Sequence, residues 1–129
     1  MYLHVLGWNP HFQHQWELCD RQGLVPARII EEQKEAYRIA TGTVEMAAEI
    51  VGRLRHEAAD RSAFPAVGDW VAVRIVTAEN KALIHEILPR RTKLSRKVAG
   101  ERSAEQILVT NVDVVFLVTS LNADMNLRR

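Results

Sequence analysis

Alternating apolar and polar positions run through much of residues 24–88, a period that sets out strands rather than helices. The alternation is clearest over residues 43–55. Val44, Met46, Ala48, Ile50 and Leu54 point one way, and Glu45, Glu49, Arg53 and Arg55 the other. Gly52 interrupts the apolar side, where a bend or bulge would let one long strand curve around a barrel. Residues 24–31 and 36–41 are two more β-rich runs, joined by polar residues 32–35. Pro26 makes the first an edge strand or one that begins late. Residues 56–66 read as a polar loop ending in Pro65. Residues 69–76 and 81–88 are two further strands, joined by residues 77–80. The core face of the last is open: Ala82, Ile84 and Leu88 inside with Glu86 as the exception, or Leu83 and Ile87 with His85. Five strands, one long and glycine-bent, point to a mainly β fold, a five-stranded barrel of OB type. An SH3-like barrel has a similar strand count.

Two segments outside this pattern complete the outline. Asn9-Pro10 is a helix start, because Asn caps and Pro suits the first helical position. Phe12, Trp16 and Cys19 follow on one helical face, and Gly23 fits the stop. Near the other end, residues 107–121 read ILVTNVDVVFLVTSL. The β-branched run at 114–118 is the pattern of a strand buried on both faces, as in the parallel sheet of an α/β domain. Residues 112–129 are therefore expected to open a second, truncated domain. The expected divisions are a helical extension at 1–22, the barrel at 23–89, a basic linker at 90–111 and that opening strand.

Composition narrows the class. The chain has 129 residues, 47% hydrophobic and 26% charged, ordinary values for a soluble domain. There is no apolar run of membrane length and no basic-then-apolar leader pattern. Cys19 is the single cysteine, which excludes an internal disulfide and fits the cytoplasm. It is expected to be a small core residue.

Charge distribution changes the picture more. Residues 1–89 carry 9 basic and 12 acidic residues, net −3. Residues 90–102, RRTKLSRKVAGER, carry six basic residues against one acidic, net +5. Arg90, Arg91, Lys93, Arg96, Lys97 and Arg102 are thus candidate phosphate contacts, since such side chains release counterions on binding nucleic acid. The alternative is a solvated linker held extended by its own charge. Trp70 and Arg74 share one side of their strand. There they either stack a base or, the favoured reading for Trp70, the indole closes one end of the barrel. Arg53 and Arg55 either continue a phosphate track or pair with nearby acids.

Other chemistry is sparse. His11 and His14 lie three apart, but a third well-placed metal ligand is not evident. Asn111-Val-Asp113 lacks the lysine and one residue of the Asn-Lys-x-Asp motif that reads guanine, so it marks a boundary. No Gly-x-x-x-x-Gly-Lys-Ser/Thr loop is present, and no nucleophile–base pair is evident. The chain carries no identifiable catalytic site.

The order PAVGDWVAV (65–73), IHEILPRRTKLSRKVAGER (84–102) and EQILVTNVDVVFLVTSLNADMNLRR (105–129) resembles the bacterial ribosome small-subunit-dependent GTPase A family, circularly permuted GTPases of 30S-subunit maturation. GLVPARIIEEQKEAYRIAT (23–41) and GRLRH (52–56) are similar to that family too. The resemblance implies an N-terminal OB barrel, a permuted GTPase domain beginning at residues 112–119, and a zinc-binding domain. GTP, Mg and Zn would be held in the parent protein, outside these 129 residues. Contact with 16S rRNA on the 30S subunit would fall to the barrel and basic segment, as a monomer. A second expectation is a regulatory or protein-interaction module that packs on the GTPase domain or a ribosomal protein.

Overall fold

The alternation of residues 24–88 closes into a barrel. The computed structural model describes residues 3–34, 36–58, 61–97 and 105–119. Strands β1 (Val25–Gln33), β2 (Ala36–Ala40), β3 (Glu45–Ile50), β4 (Trp70–Val76) and β5 (Lys81–Ile87) form a closed barrel in the order β1-β2-β3-β5-β4. β3 and β5 are the one parallel pair, with Ala48 opposite Ala82 and Ile50 opposite Ile84. Every other barrel pairing is antiparallel. This is an OB-type barrel, and closure leaves one side of a strand unpaired at the start of β1, where residues 25–27 pair with β4 alone.

The inward residues are those the alternation selects. Ala27, Ile29, Tyr37, Ile39, Ala48, Ile50, Val71, Val73, Ala82 and Ile84 form the main core. Each large aliphatic side chain of this set contributes about 1.5–3 kcal/mol by leaving water. The open question on β5 resolves partly each way: Ala82 and Ile84 lie in the main core, and past a bulge Ile87 packs on that core while Leu88 is buried in a second cluster with Phe12 and Trp70. The pairing skips His85, with Ala72 opposite Glu86 and Val73 opposite Ile84. That bulge is why both alternatives looked plausible.

Helix α1 (Pro10–Glu17) caps one end of the barrel. The Asn9 side chain accepts a hydrogen bond from the Phe12 amide at 3.2 Å. Phe12 packs on Trp70 and Leu88, with Leu3, Leu6, Trp8 and Trp16 around them. Arg21 fastens the end of this segment to β5: its guanidinium bonds both carboxylate oxygens of Glu86 at 2.9 Å and lies over the Trp16 ring. The helix ends at Glu17 rather than near Gly23, so Cys19 lies past it and is exposed rather than in the core.

Three further expectations change. The long strand expected over 43–55 stops at Ile50, and Gly52–Glu57 form a short helix, α2. Ile50 and Leu54 are four apart, which satisfies a helical repeat as well as an alternating one, and Leu54 still packs on the core. Val44 is exposed. Pro26 starts no late strand: β1 begins at Val25, and Pro26 pairs only with Ala72 of β4, because pairing with β2 starts at Arg28. Its missing amide hydrogen therefore falls where one side of the strand is free.

The expected basic linker is instead a hairpin. β6 (Lys93–Lys97) pairs antiparallel with β7 (Glu105–Thr110), with Arg96 opposite Gln106. Residues 114–118, expected as a buried strand, take no strand and are exposed, Phe116 at 85% and Leu117 at 92%. Nothing among the described residues covers them. No helix among the described residues is long and apolar enough to cross a membrane.

Candidate nucleic-acid interface

The hairpin is joined to the barrel through a buried carboxylate. Asp69 is fully buried at the start of β4. Its Oδ1 accepts from Arg90 Nε at 2.9 Å and from Thr110 Oγ1 at 2.7 Å. Its Oδ2 accepts from Arg90 Nη2 and from the Ala66 amide, both at 2.8 Å. Arg90 also donates to the carbonyls of Ser62 (2.9 Å) and Phe64 (3.0 Å). Hydrogen bonding to Asp69 raises the pKa of the guanidinium above its ordinary value and outweighs the opposing effect of burial. Such a pair is stable only because the remaining lone pairs and protons are satisfied.

Gly68 brings the two parts together. Its φ is +98°, and a Cβ there would lie 2.1 Å from the Thr110 carbonyl oxygen. The Gly68 carbonyl accepts from Arg28 Nε and Asn111 Nδ2, each at 3.0 Å. Arg28 further donates to the carbonyls of Asn111 (2.9 Å) and Leu6, and its guanidinium lies over the Trp70 ring. Burial lowers the Arg28 pKa from its ordinary value. Asn111 takes a left-handed φ of 55°, and its Oδ1 accepts from the Arg91 amide at 2.8 Å. The residues PAVGDW, Arg90, Arg91 and Asn111 thus form one joint between barrel and hairpin. Asn111, part of the near-miss Asn111-Val-Asp113, is used in this joint.

This joint sorts the candidate phosphate contacts. Arg90 is used inside the joint, so it is withdrawn as an RNA contact. Trp70 is fully buried against Trp8 and Phe12, with its ring centroid 4.8 Å from that of Trp8. It closes the barrel end, and a base has no access to it. Arg102 lies outside the described residues. Lys93, Arg96 and Lys97 stand exposed along β6. Lys93 bonds Glu105 at 2.8 Å, and Arg96 Nε donates to Gln106 Oε1 at 2.8 Å. The Lys93 and Ser95 hydrogen bonds hold the Glu105 carboxyl below the usual carboxylate range. Arg91 is exposed and paired with Asp113 at 3.0 Å. Exposed pairs of this kind are worth about 0–1 kcal/mol and exchange readily for a phosphate.

Arg53 and Arg55 project from α2 rather than from a strand. Arg53 meets Glu57 at 3.4 Å and the His85 carbonyl at 3.2 Å; Arg55 makes no side-chain hydrogen bond or ion pair among the described residues. Arg74 is exposed on β4 and also lacks an ion pair among the described residues. Arg28 and Asp69, the residues that shape the site most, escaped the sequence reading; the one signal was their position within the GLVPARII and PAVGDW blocks. Among the described residues no three His, Cys, Asp or Glu side chains gather as a metal site, and His11 and His14 are exposed.

No protein-family model matches the chain. Curated relatives do. The chain is 45% identical to the small ribosomal subunit biogenesis GTPase RsgA of Opitutus terrae, over all of this chain and 37% of that protein. It is 42% identical to RsgA 2 of Lactiplantibacillus plantarum, over 89% of this chain and 32% of that protein. It is 39% identical to RsgA of Syntrophotalea carbinolica, over all of this chain and 37% of that protein. The chain spans about a third of the length of the curated relatives it matches.

Proposed function

Because this chain belongs to the small ribosomal subunit biogenesis GTPase RsgA family, we propose that it is an RNA-docking module. It holds its parent GTPase on the maturing small ribosomal subunit through contacts with 16S rRNA. The observation that carries this reading is the set of exposed cations Lys93 and Lys97 on one face and Arg96 on the other of a hairpin joined to an OB-type barrel. Arg91, Arg53, Arg55 and Arg74 extend the basic surface. Cations on a fixed frame lose less entropy on meeting phosphates than cations on a free linker. In this proposal the parent protein hydrolyses GTP in the cytoplasm, with GTP, Mg and Zn held by residues other than these 129. The test is binding to isolated 30S subunits across a salt series. The reading requires detectable binding at low salt that falls steeply as salt rises.

A second reading is supported by the exposed apolar residues 114–118. A run including Phe116 and Leu117 suits a protein surface better than water. In this reading the module also packs on the GTPase part of its parent and adjusts hydrolysis. Comparing GTP hydrolysis by the parent with and without residues 1–106, in the absence of ribosomes, separates the two. A large change without ribosomes favours the intramolecular role.

A further inference from the structure

Barrel, helix α2 and hairpin border a pocket of about 250 Å³ whose lining includes Phe64, Pro65 and Ala66, beside the Asp69 joint. Tyr37, Ile50, Arg55, Phe64, Gln106 and Ile107 line it. Its size falls just below the roughly 300–1,000 Å³ of drug-sized ligand sites, which suits one ring system rather than a large cofactor. Ile50, Phe64 and Ile107 give it apolar wall, and Glu32, its one acid, lines it together with Tyr37, Arg55 and Gln106. Its polar groups are open. Neither the Tyr37 hydroxyl nor the Arg55 guanidinium has a hydrogen-bond partner among the described residues. Gln106 uses its oxygen on Arg96, which leaves its amide hydrogens available. Arg96 lies opposite Gln106 in register and has no ion pair among the described residues.

Apolar faces and polar edges in one slot, with the Arg55 guanidinium in its lining and that of Arg96 held on Gln106, match one ligand chemistry closely. A nucleobase has flat apolar faces and a hydrogen-bonding edge, and it arrives attached to a phosphate. We propose that this pocket is a binding site for a single unstacked RNA nucleotide, with the base between the apolar walls and at the Glu32 end of the slot, and its phosphate toward Arg55 and Arg96. Single-stranded RNA is recognised in this way, by splayed bases held on their edges and faces. The Tyr37 hydroxyl, whose pKa burial pushes up to about 12, is a hydrogen-bond donor at neutral pH as any tyrosine is. The proposal deepens the RNA-docking reading and rests on it. It adds that docking has a discrete, base-sized contact beside its phosphate track.

The test uses uncharged substitutions so that the two claims separate. Tyr37→Phe and Gln106→Leu change the pocket without changing charge. Affinity for a single-stranded oligoribonucleotide should fall about tenfold in the double variant, with the salt slope unchanged. Replacing one nucleotide of the oligomer by an abasic residue should remove the difference between variant and parent chain. In parallel, titration with AMP, CMP, GMP and UMP should move the Ile50 and Ile107 methyl resonances of the parent chain saturably. Oligomer binding that is salt-dependent but indifferent to both substitutions, with no methyl shifts, overturns the pocket and leaves phosphate docking intact. Methyl shifts reproduced by inorganic phosphate or by a short acidic peptide alone also overturn it. Nucleotide-induced shifts without oligomer binding support the pocket and overturn the docking reading.

Discussion

Asp69 and Arg90 face each other fork to fork, with Oδ1 2.9 Å from Nε and Oδ2 2.8 Å from Nη2, on a carboxylate with no exposed surface. They lie 21 residues apart, one at the start of β4 and the other just before the hairpin. The pair is what makes the basic segment part of the fold rather than a tether.

Arg90→Met would leave the buried Asp69 carboxylate without its counter-charge. The expected cost is about 3–5 kcal/mol, read from urea unfolding. The combined variant Arg90→Met with Asp69→Leu should cost less than the sum of the two single changes, because only the combination leaves no lone charge behind. A purely additive result would mean that the pair is energetically independent.

Gly68→Ala tests the close approach of the two parts. A Cβ would meet the Thr110 carbonyl oxygen at 2.1 Å, with φ at +98°. Backbone strain alone should cost about 1–3 kcal/mol, and the hairpin must shift as well. Amide exchange in β7 should speed up more than exchange in β2. Equal protection in both would contradict the joint.

Trp70→Ala should cost about 3–5 kcal/mol, because the side chain is fully buried among Trp8, Phe12 and Leu88. RNA affinity of the folded protein should be unchanged. A selective loss of RNA affinity with normal stability would restore Trp70 as a base contact.

His85 sets a pH dependence. Its Nε2 is buried without a hydrogen-bond partner among the described residues. Burial, followed by the Arg74 and Arg53 charges, holds its pKa below the ordinary 6.5. The unfolded chain therefore binds more protons as pH falls through about 6.5. The His85 contribution is complete above that value and is lost as pH falls toward the folded pKa. Urea midpoints from about pH 7.5 to about pH 5 should decline less steeply for His85→Gln than for the parent chain.

The barrel was legible because its strands alternate and its core residues sit two apart, as at Ala27 and Ile29 or Val71 and Val73. The change from strand to helix after Ile50 was not, because Ile50 and Leu54 fit both periods. The hairpin was not legible either. Its basic strand reads as solvated, and the partner that orders it, residues 105–110, lies across a separate stretch of chain. Arg90 shows the same limit at the site. In sequence it is one of six like charges, and only the buried position of Asp69 separates it from Lys93 or Lys97.

The most direct measurement is the salt dependence of oligoribonucleotide and 30S binding for the triple variant Lys93→Gln, Arg96→Gln, Lys97→Gln. These side chains are exposed, so urea stability should stay within about 0.5 kcal/mol of the parent. The account predicts at least about tenfold weaker binding at low salt and a log–log salt slope smaller in magnitude by about two. Unchanged affinity and slope would contradict it.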